Sequence, residues 1–364
     1  MAGKDMPTCR WGIITTGLIS SWFVADLVMP RTDAKAHHVI QAIGSSRLDK
    51  SREFASKHLK DATVQPSVYG SYDEVYADPD VDCVYIGSPH GFHKRDCLAA
   101  IAAGKNVLCE KAFTINAREA REVFDAAKKK GLYVAEAMWL RHKPLVLNLQ
   151  KLLHEDKIIG DVFRTSCDFQ MLLDIAELPP TSRYKDLQLG AGTLLDIGIY
   201  SLTWCLLTLD PNPVDKVETP NIMAAQTFVD GVEVTTSAIL HYKSTGRQGL
   251  VTSTSERKKE RPYIVAMIDG TNGSIEVEGN VPSHPTAFTV YPRCTGDEKP
   301  TPAKRYDYAR PQQGFQYEAD QTALDIAAGR SESAVMPWSE TIRVLEMMDE
   351  IRRQGGTRYP QDET

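Results

Sequence analysis

Two side chains far apart in the chain have the types needed to move a proton on or off an alcohol. Lys111 follows Glu110 in the run VLCEKAF (residues 107–113), and Tyr200 stands four positions after Asp196 in GAGTLLDIGIYSLTW (residues 190–204). A tyrosine works as an acid or base near neutrality only if its pKa of about 10 is brought down, and a lysine cation nearby does that. A spacing of four puts Asp196 and Tyr200 on one helical face. Taken singly, each has a plainer reading. Glu110 and Lys111 make a surface ion pair, worth little, and Tyr200 is a packed ring with Asp196 as its helix-turn partner.

A second group of residues has the types that hold a dinucleotide. WGIITTGLIS (residues 11–20) places Gly12 and Gly17 at a strand-to-helix turn. There the backbone N–H groups of Thr16, Gly17, Leu18 and Ile19 can approach a pyrophosphate. The usual G-x-G-x-x-G/A is broken, with Thr15 for the first Gly and Ser20 for the last. After the second strand come Ser45, Ser46 and Arg47, with no acid before Asp49. An acid there would take the ribose 2′-OH of NAD, whereas the planar fork of Arg47 suits the 2′-phosphate of NADP. Lys50 is a second candidate, and a solvated helix face is the plain alternative. NADP is therefore expected over NAD. EAMWLRHKP (residues 136–144) offers Trp139 and Arg141 to a pocket, with a core Trp and a surface Arg as the alternatives.

The elements that must position these residues read clearly in the first third. Strands are expected at residues 11–14, 38–44, 81–87, 106–108 and 132–135. Helices are expected at 18–29, with Ile19, Phe23, Leu27 and Val28 on one face, and then through Phe54, at 93–103 and at 116–130. The continuous apolar run VDCVYIG suits a parallel strand covered on both faces. KKKG ends its helix well, with cations at the dipole and Gly131 free to take a left-handed cap. Strand and helix alternating in this way mean a doubly wound parallel sheet. After about Arg141 the pattern changes. Strands are expected at 162–173, 222–229, 232–241, 249–253, 264–268 and 273–277, with VDGVE and DGTNG as hairpin turns. Helices are expected at 194–209, 316–328 and 339–353, and a loose polar tail follows Gly355. The expected fold class is α/β: a Rossmann domain over residues 1–141, then an α/β domain over 142–364 with a large, open, mostly antiparallel sheet.

Composition narrows the function classes. Of 364 residues 42% are hydrophobic and 25% charged, which excludes a chain disordered as a whole. A net charge of -6 argues against nucleic acid as a partner. The basic run RKKER (257–261) reads as a solvated loop. The seven cysteines, Cys9, Cys83, Cys97, Cys109, Cys167, Cys205 and Cys294, show no C-x-x-C pair, so free buried thiols in a reducing compartment are expected. His37 with His38, and His90 with His93, lack a supporting cluster, so no metal site is expected. The longest apolar run, residues 197–209, is too short to span a bilayer. No secretory leader is read at the N-terminus, and a cytoplasmic location is the expectation.

In order, the motifs WGIITTGLIS, SPHGFH (88–93), AGKNVLCEKA (103–112), EAMWLRHKP and GAGTLLDIGIYSL resemble the Gfo/Idh/MocA oxidoreductase family over nearly the whole chain. WGIITTGLISS and LLDIGIY resemble most the branch with dimeric dihydrodiol dehydrogenases and fungal NADP-dependent D-xylose 1-dehydrogenases. The resemblance implies that Lys111 contacts nicotinamide and substrate, and that Asp196, Gly198 and Tyr200 match the D-x-G-x-H/Y motif with Tyr200 as acid/base. It further implies that Ser88, Pro89, His93 and Glu110 lie on the cofactor side, and that Trp139, Arg141 and Phe169 line the substrate pocket. Two departures stand out. Thr15 replaces a Gly of the phosphate turn, and Ala112 replaces a proline often cis in relatives, so Lys111 is expected to be set differently. The implied activity is oxidation of a pyranose aldose, with D-xylose to D-xylono-1,5-lactone foremost. The alternatives are a trans-1,2-dihydrodiol dehydrogenase or dicarbonyl reductase, and a non-catalytic NADP-binding regulatory protein. A homodimer is implied, joined through an apolar sheet face carrying Val232, Val234 and residues 237–240.

Overall fold

The computed structural model describes residues 6–210, 218–257, 260, 262–293 and 302–363. Cys294 and most of the RKKER run lie outside the described residues. The chain divides into two units, one of residues 1–142 with 312–342, the other of 143–311 with 343–364. The return of residues 312–342 to the first unit was not part of the expected division at 141.

The first unit holds β1 (Thr8–Ile14), α1 (Leu18–Val28), β2 (His37–Gly44), α2 (Leu48–His58), β3 (Ser67–Tyr69), α3 (Tyr72–Ala77), β4 (Cys83–Ile86), α4 (His90–Ala102), β5 (Asn106–Glu110), α5 (Ala117–Lys130) and β6 (Val134–Ala137). The strands are parallel in the order β3-β2-β1-β4-β5-β6. Strand order reverses between β1 and β4, and open α/β sheets bind ligands at the carboxyl ends there. All of β4 is buried, as its apolar run requires. Asn116 caps α5 by accepting the Glu119 N–H, and Gly131 closes it at φ 66°. Two short elements, β3 and α3, were not legible because neither is long enough to show a period. The apolar face of α1 also turns slightly from the expected one: Phe23, Val24 and Leu27 are buried, while Val28 is exposed. The helix Phe315–Ala327 completes this unit, its first N–H groups held by buried Asp26.

The second unit contains α6 (Pro144–Gln150), β7 (Val162–Gln170), α7 (Ile199–Leu209), β8 (Asn221–Val229), β9 (Val232–His241), β10 (Gln248–Thr254), β11 (Tyr263–Gly270), β12 (Gly273–Val281), β13 (His284–Pro292) and β14 (Lys304–Asp307). The sheet runs β14-β13-β12-β11-β7-β10-β9-β8 and is antiparallel except for β7 beside β10. Residues of α7 are all buried, and Gly249 lets Cys205 pack close to the sheet. Within the 23-residue segment Leu187–Leu209, an 18-residue stretch of mean hydropathy 1.4 is apolar enough to cross a membrane, yet 89% of that stretch is buried as core. β13 and β14 escaped sequence reading; prolines at 285 and 292 mask the first, and the second has only four residues.

Two expectations fail here. Val232, Val234, Ala238 and Leu240 face inward, with Val232 and Val234 packed on Ile175 and Ala191. Opposite residues share a face, and cross-strand register sets Met223, Ile239, Leu250, Ser166 and Met267 in one row on the other face. The polar tail is not loose either. Tyr359 is buried, and Arg352 pairs with Asp362 at 2.6 Å.

Candidate active site

At the end of β1, Thr15 takes a left-handed conformation at φ 77°, which glycine would adopt freely. Local bonds hold it there. Its N–H donates to the Gly44 carbonyl at 3.0 Å, and its hydroxyl donates to the Gly87 carbonyl at 3.0 Å and lies 3.1 Å from Ser20 Oγ. The two residues that break the glycine pattern therefore tie the ends of β1, β2 and β4 together. Gly17, at the start of α1, has open space where a Cβ would point. Gly12 is different: it lies inside β1, and a Cβ there would sit 2.7 Å from Val75 and 2.9 Å from Val81. Its lack of a side chain serves packing of α3, not a ligand.

A cavity of about 490 Å³ opens over this turn, lined by Thr15, Thr16, Gly17, Ser45, Ser46 and Lys50 among others. Backbone N–H groups at a helix start, hydroxyls and a cation suit the phosphates and ribose of a dinucleotide. Arg47 is not among the lining residues. Its guanidinium holds Asp49 through two bonds, at 2.7 and 3.1 Å, with both side chains exposed. The cations that line the cavity are Lys50 and Lys57, and of the two Lys50 is the one expected from the sequence. Leu18 is exposed and Ile19 half-buried beside the turn.

Lys111, half-buried, follows β5 at the sheet's carboxyl edge. The Lys111–Ala112 peptide is cis although no proline follows. Buried side chains hold the loop. One ring nitrogen of His93 lies 2.6 Å from the Ser88 carbonyl oxygen, and the other 2.9 Å from that of Ala112. Burial lowers the His93 pKa. Glu136 accepts the Phe113 N–H at 3.2 Å and the Thr341 hydroxyl at 2.9 Å, and burial pushes its carboxyl up to about 7. Ser88 donates to Asp96, and Glu110 accepts the buried Tyr85 hydroxyl at 2.6 Å. Pro89 precedes α4.

Arg141 is not the surface residue of the plain reading: it is buried and forms a pair with Glu340 at 2.5 Å. Trp139 is buried with its ring stacked 4.4 Å from Phe315. Both support the first unit's core.

In the second unit Asp196 lies in a widened, π-helical turn, Leu194–Gly198, and Tyr200 follows in α7. Such turns recur at functional sites. Tyr200 is buried, its ring 5.8 Å from that of Phe169 on β7. Asp196 accepts from Arg183 at 3.3 Å, and the Arg183 guanidinium lies 4.2 Å over the Tyr184 ring. Arg183 was not foreseen, since its loop has no period. This cluster presents a phenol, a carboxylate and a guanidinium together, which matches what binding and deprotonating a hydroxyl compound requires. Among the described residues no group of three or more His, Cys, Asp or Glu side chains is placed to hold a metal.

Residues 9–138 match the family described as "Oxidoreductase family, NAD-binding Rossmann fold", and residues 146–276 match the "GFO/IDH/MocA C-terminal domain". The chain is 34% identical to a D-xylose 1-dehydrogenase (NADP(+)) of Hypocrea jecorina, over 99% of this chain and 95% of the relative. It is 33% identical to a trans-1,2-dihydrobenzene-1,2-diol dehydrogenase of Danio rerio, over 97% and 98%. In fold it is similar to KijD10, a 3-ketoreductase from Actinomadura kijaniata solved with NADP and TDP-benzene. There the TM-score is 0.77 at 21% identity, over 96% of this chain and 98% of that one.

Proposed function

The chain belongs to the Gfo/Idh/MocA oxidoreductase family, and from that premise we propose that it is an NADP-dependent dehydrogenase of a pyranose aldose, with D-xylose oxidised to D-xylono-1,5-lactone. The observation that carries this reading is the cluster of Tyr200, Asp196 and Phe169 on one unit of a chain similar throughout its length to such an enzyme.

Tyr200 takes the proton of the reacting hydroxyl. Lys111, at the carboxyl edge of the first unit's sheet, is the group proposed to hydrogen-bond the substrate oxygen. Asp196, steadied by Arg183, accepts from a neighbouring sugar hydroxyl. Phe169 keeps the Tyr200 ring in place and water from its side. Bound NADP would supply the hydride acceptor for the carbon that carries that hydroxyl. The N–H groups of residues 16–19, the hydroxyls of Ser45 and Ser46, and Lys50 would hold the cofactor, with Ser88 and His93 shaping the floor beneath it.

Absorbance at 340 nm with NADP and a panel of aldoses, trans-dihydrodiols and dicarbonyls tests this. Turnover of D-xylose is expected. Turnover of diols and not of sugars would move the assignment to the second reading, which the full-length likeness to a dihydrodiol dehydrogenase favours. Tight NADP binding without turnover of anything would make the chain a regulatory protein.

We also infer a homodimer through the outward sheet face. Met223, Ile239 and Met267 stand exposed there in one cross-strand row, and apolar surface of this kind marks an interface. Light scattering should give twice the 40.5 kDa chain mass. The monomer mass at every dilution would refute it.

A further inference from the structure

Glu233 is a buried carboxyl of the second unit that the proposed reaction does not use. Glu233, in β9, is 1% exposed. One of its oxygens accepts the Thr193 hydroxyl at 2.5 Å and the Thr236 hydroxyl at 2.7 Å. The other accepts the backbone N–H of Leu194 at 2.8 Å. Leu194 opens the widened turn that carries Asp196, and an N–H at a helix start has no partner within the helix. A carboxylate there supplies the partner and suits the local dipole.

The same segment is gripped from its other side. The Tyr359 hydroxyl donates to the Ala191 carbonyl at 2.8 Å. Between the two grips lies Gly192, at φ 131°. A Cβ on it would lie 3.0 Å from Glu233 Oε2 and 3.1 Å from the Tyr359 hydroxyl, so a side chain there would press on both and be strained at this φ. Tyr359 is itself fastened. Its N–H donates to Asp362 at 2.9 Å, and the Arg352 guanidinium lies 5.0 Å over its ring. Gly198, at the far end of the widened turn, is equally tight: its Cβ would lie 2.9 Å from Ser253 Oγ, and that hydroxyl also meets Thr193 at 3.0 Å.

We propose that Glu233 and Tyr359 are positioning residues, clamping residues 191–194 so that Asp196 and Tyr200 are presented to substrate in one fixed geometry. This rests on the dehydrogenase reading above. Neither residue touches substrate. Their effect is geometric, and a displacement of about 1 Å at a reacting group costs about a hundredfold in rate.

Glu233→Gln preserves size but turns one acceptor into an NH2 that meets a donor. Tyr359→Phe removes one hydroxyl and leaves the ring. For Glu233→Gln the expected loss in kcat is about tenfold to hundredfold, with a smaller loss for Tyr359→Phe and no change in KM for NADP. Added to Tyr200→Phe, either change should cost less than it does alone, because one of the two positioned groups is already gone and only Asp196 remains to be misplaced. Amide exchange by mass spectrometry should quicken over residues 191–200 in both variants. Unchanged kcat in two folded variants, or a full additional loss in the Tyr200→Phe background, would overturn the proposal. If Glu233→Gln does not fold, Tyr359→Phe carries the same test. An unaltered chain that turns over no sugar, diol or dicarbonyl would instead overturn the catalytic reading, and the positioning role with it.

Discussion

The supports behind Lys111 come from nearby in the chain, and those behind Tyr200 come from far away. His93 lies 19 residues before Ala112, and Glu136 lies 23 residues after Phe113. Glu233 lies 40 residues from Thr193, and Tyr359 lies 168 from Ala191. Physically the two devices are alike, since each satisfies loop backbone groups with buried polar side chains. The difference follows from topology. A parallel strand-helix-strand unit sets the carboxyl ends of β4, β5 and β6 side by side, so the supports of one loop sit in the next. In the mixed sheet the segment before α7 meets β9 and the chain's last residues. The support of Lys111 is a local construction, and that of Asp196 and Tyr200 is assembled from distant parts.

Removing the proton-handling groups is the strongest way to break that comparison. Tyr200→Phe should lower kcat by about 10²–10⁴, the range for a positioned acid or base, while NADP affinity barely changes. Lys111→Ala should lower kcat by a similar factor. Steady-state kinetics with the best sugar of the panel checks this. If Tyr200→Phe keeps full activity, the distant half is not where the proton goes, and Asp196 becomes the group to test.

The same difference decided what could be read from the sequence. The strand-helix alternation of the first unit, its switch point and the turn at residues 15–20 were legible because each is a short run whose chemistry is carried by backbone. Asp196 and Tyr200 were legible as a spacing of four. Glu233 was not, since a glutamate in a strand that alternates otherwise looks like any outward residue, and only the fold turns it inward. Arg183 and Tyr359 sit in segments without period. Sheet faces were also misjudged: a strand pattern says that two faces exist, and the register alone said which carries Met223 and Ile239.

A smaller effect sharpens the local half. Glu136 has an ordinary carboxyl value of 4.5 that burial pushes up to about 7, although the Thr341 hydroxyl, the Phe113 N–H and Arg141 all favour the ion. The folded state therefore holds this proton more tightly than the unfolded chain does. The resulting stability is complete below pH 4.5 and is lost as the pH rises through about 7, by up to about 1.4 kcal/mol per pH unit. Glu136→Gln lacks that proton. Urea unfolding on either side of the window should show wild-type stability falling relative to the variant as pH rises. Parallel curves would mean that the loop behind Lys111 is held by an ion at all pH values.

The smallest expected effects concern two cations three positions apart in the sequence, Arg47 and Lys50, and they separate what a motif suggests from what the cavity admits. Lys50 lines the cavity over the phosphate turn, whereas Arg47 is engaged with Asp49 in an exposed pair. An exposed pair is worth about 0–1 kcal/mol, and its loss leaves the cavity wall unchanged. A charge-assisted contact to a phosphate is worth roughly 1.5–3 kcal/mol. Lys50→Ala should therefore weaken NADP about tenfold or more and leave NAD nearly untouched, while Arg47→Ala should shift either cofactor by less than about 1 kcal/mol. Fluorescence titration with both cofactors reads the four values. The reverse order, with Arg47→Ala closing the gap between NADP and NAD, would mean that Arg47 leaves Asp49 to meet the 2′-phosphate.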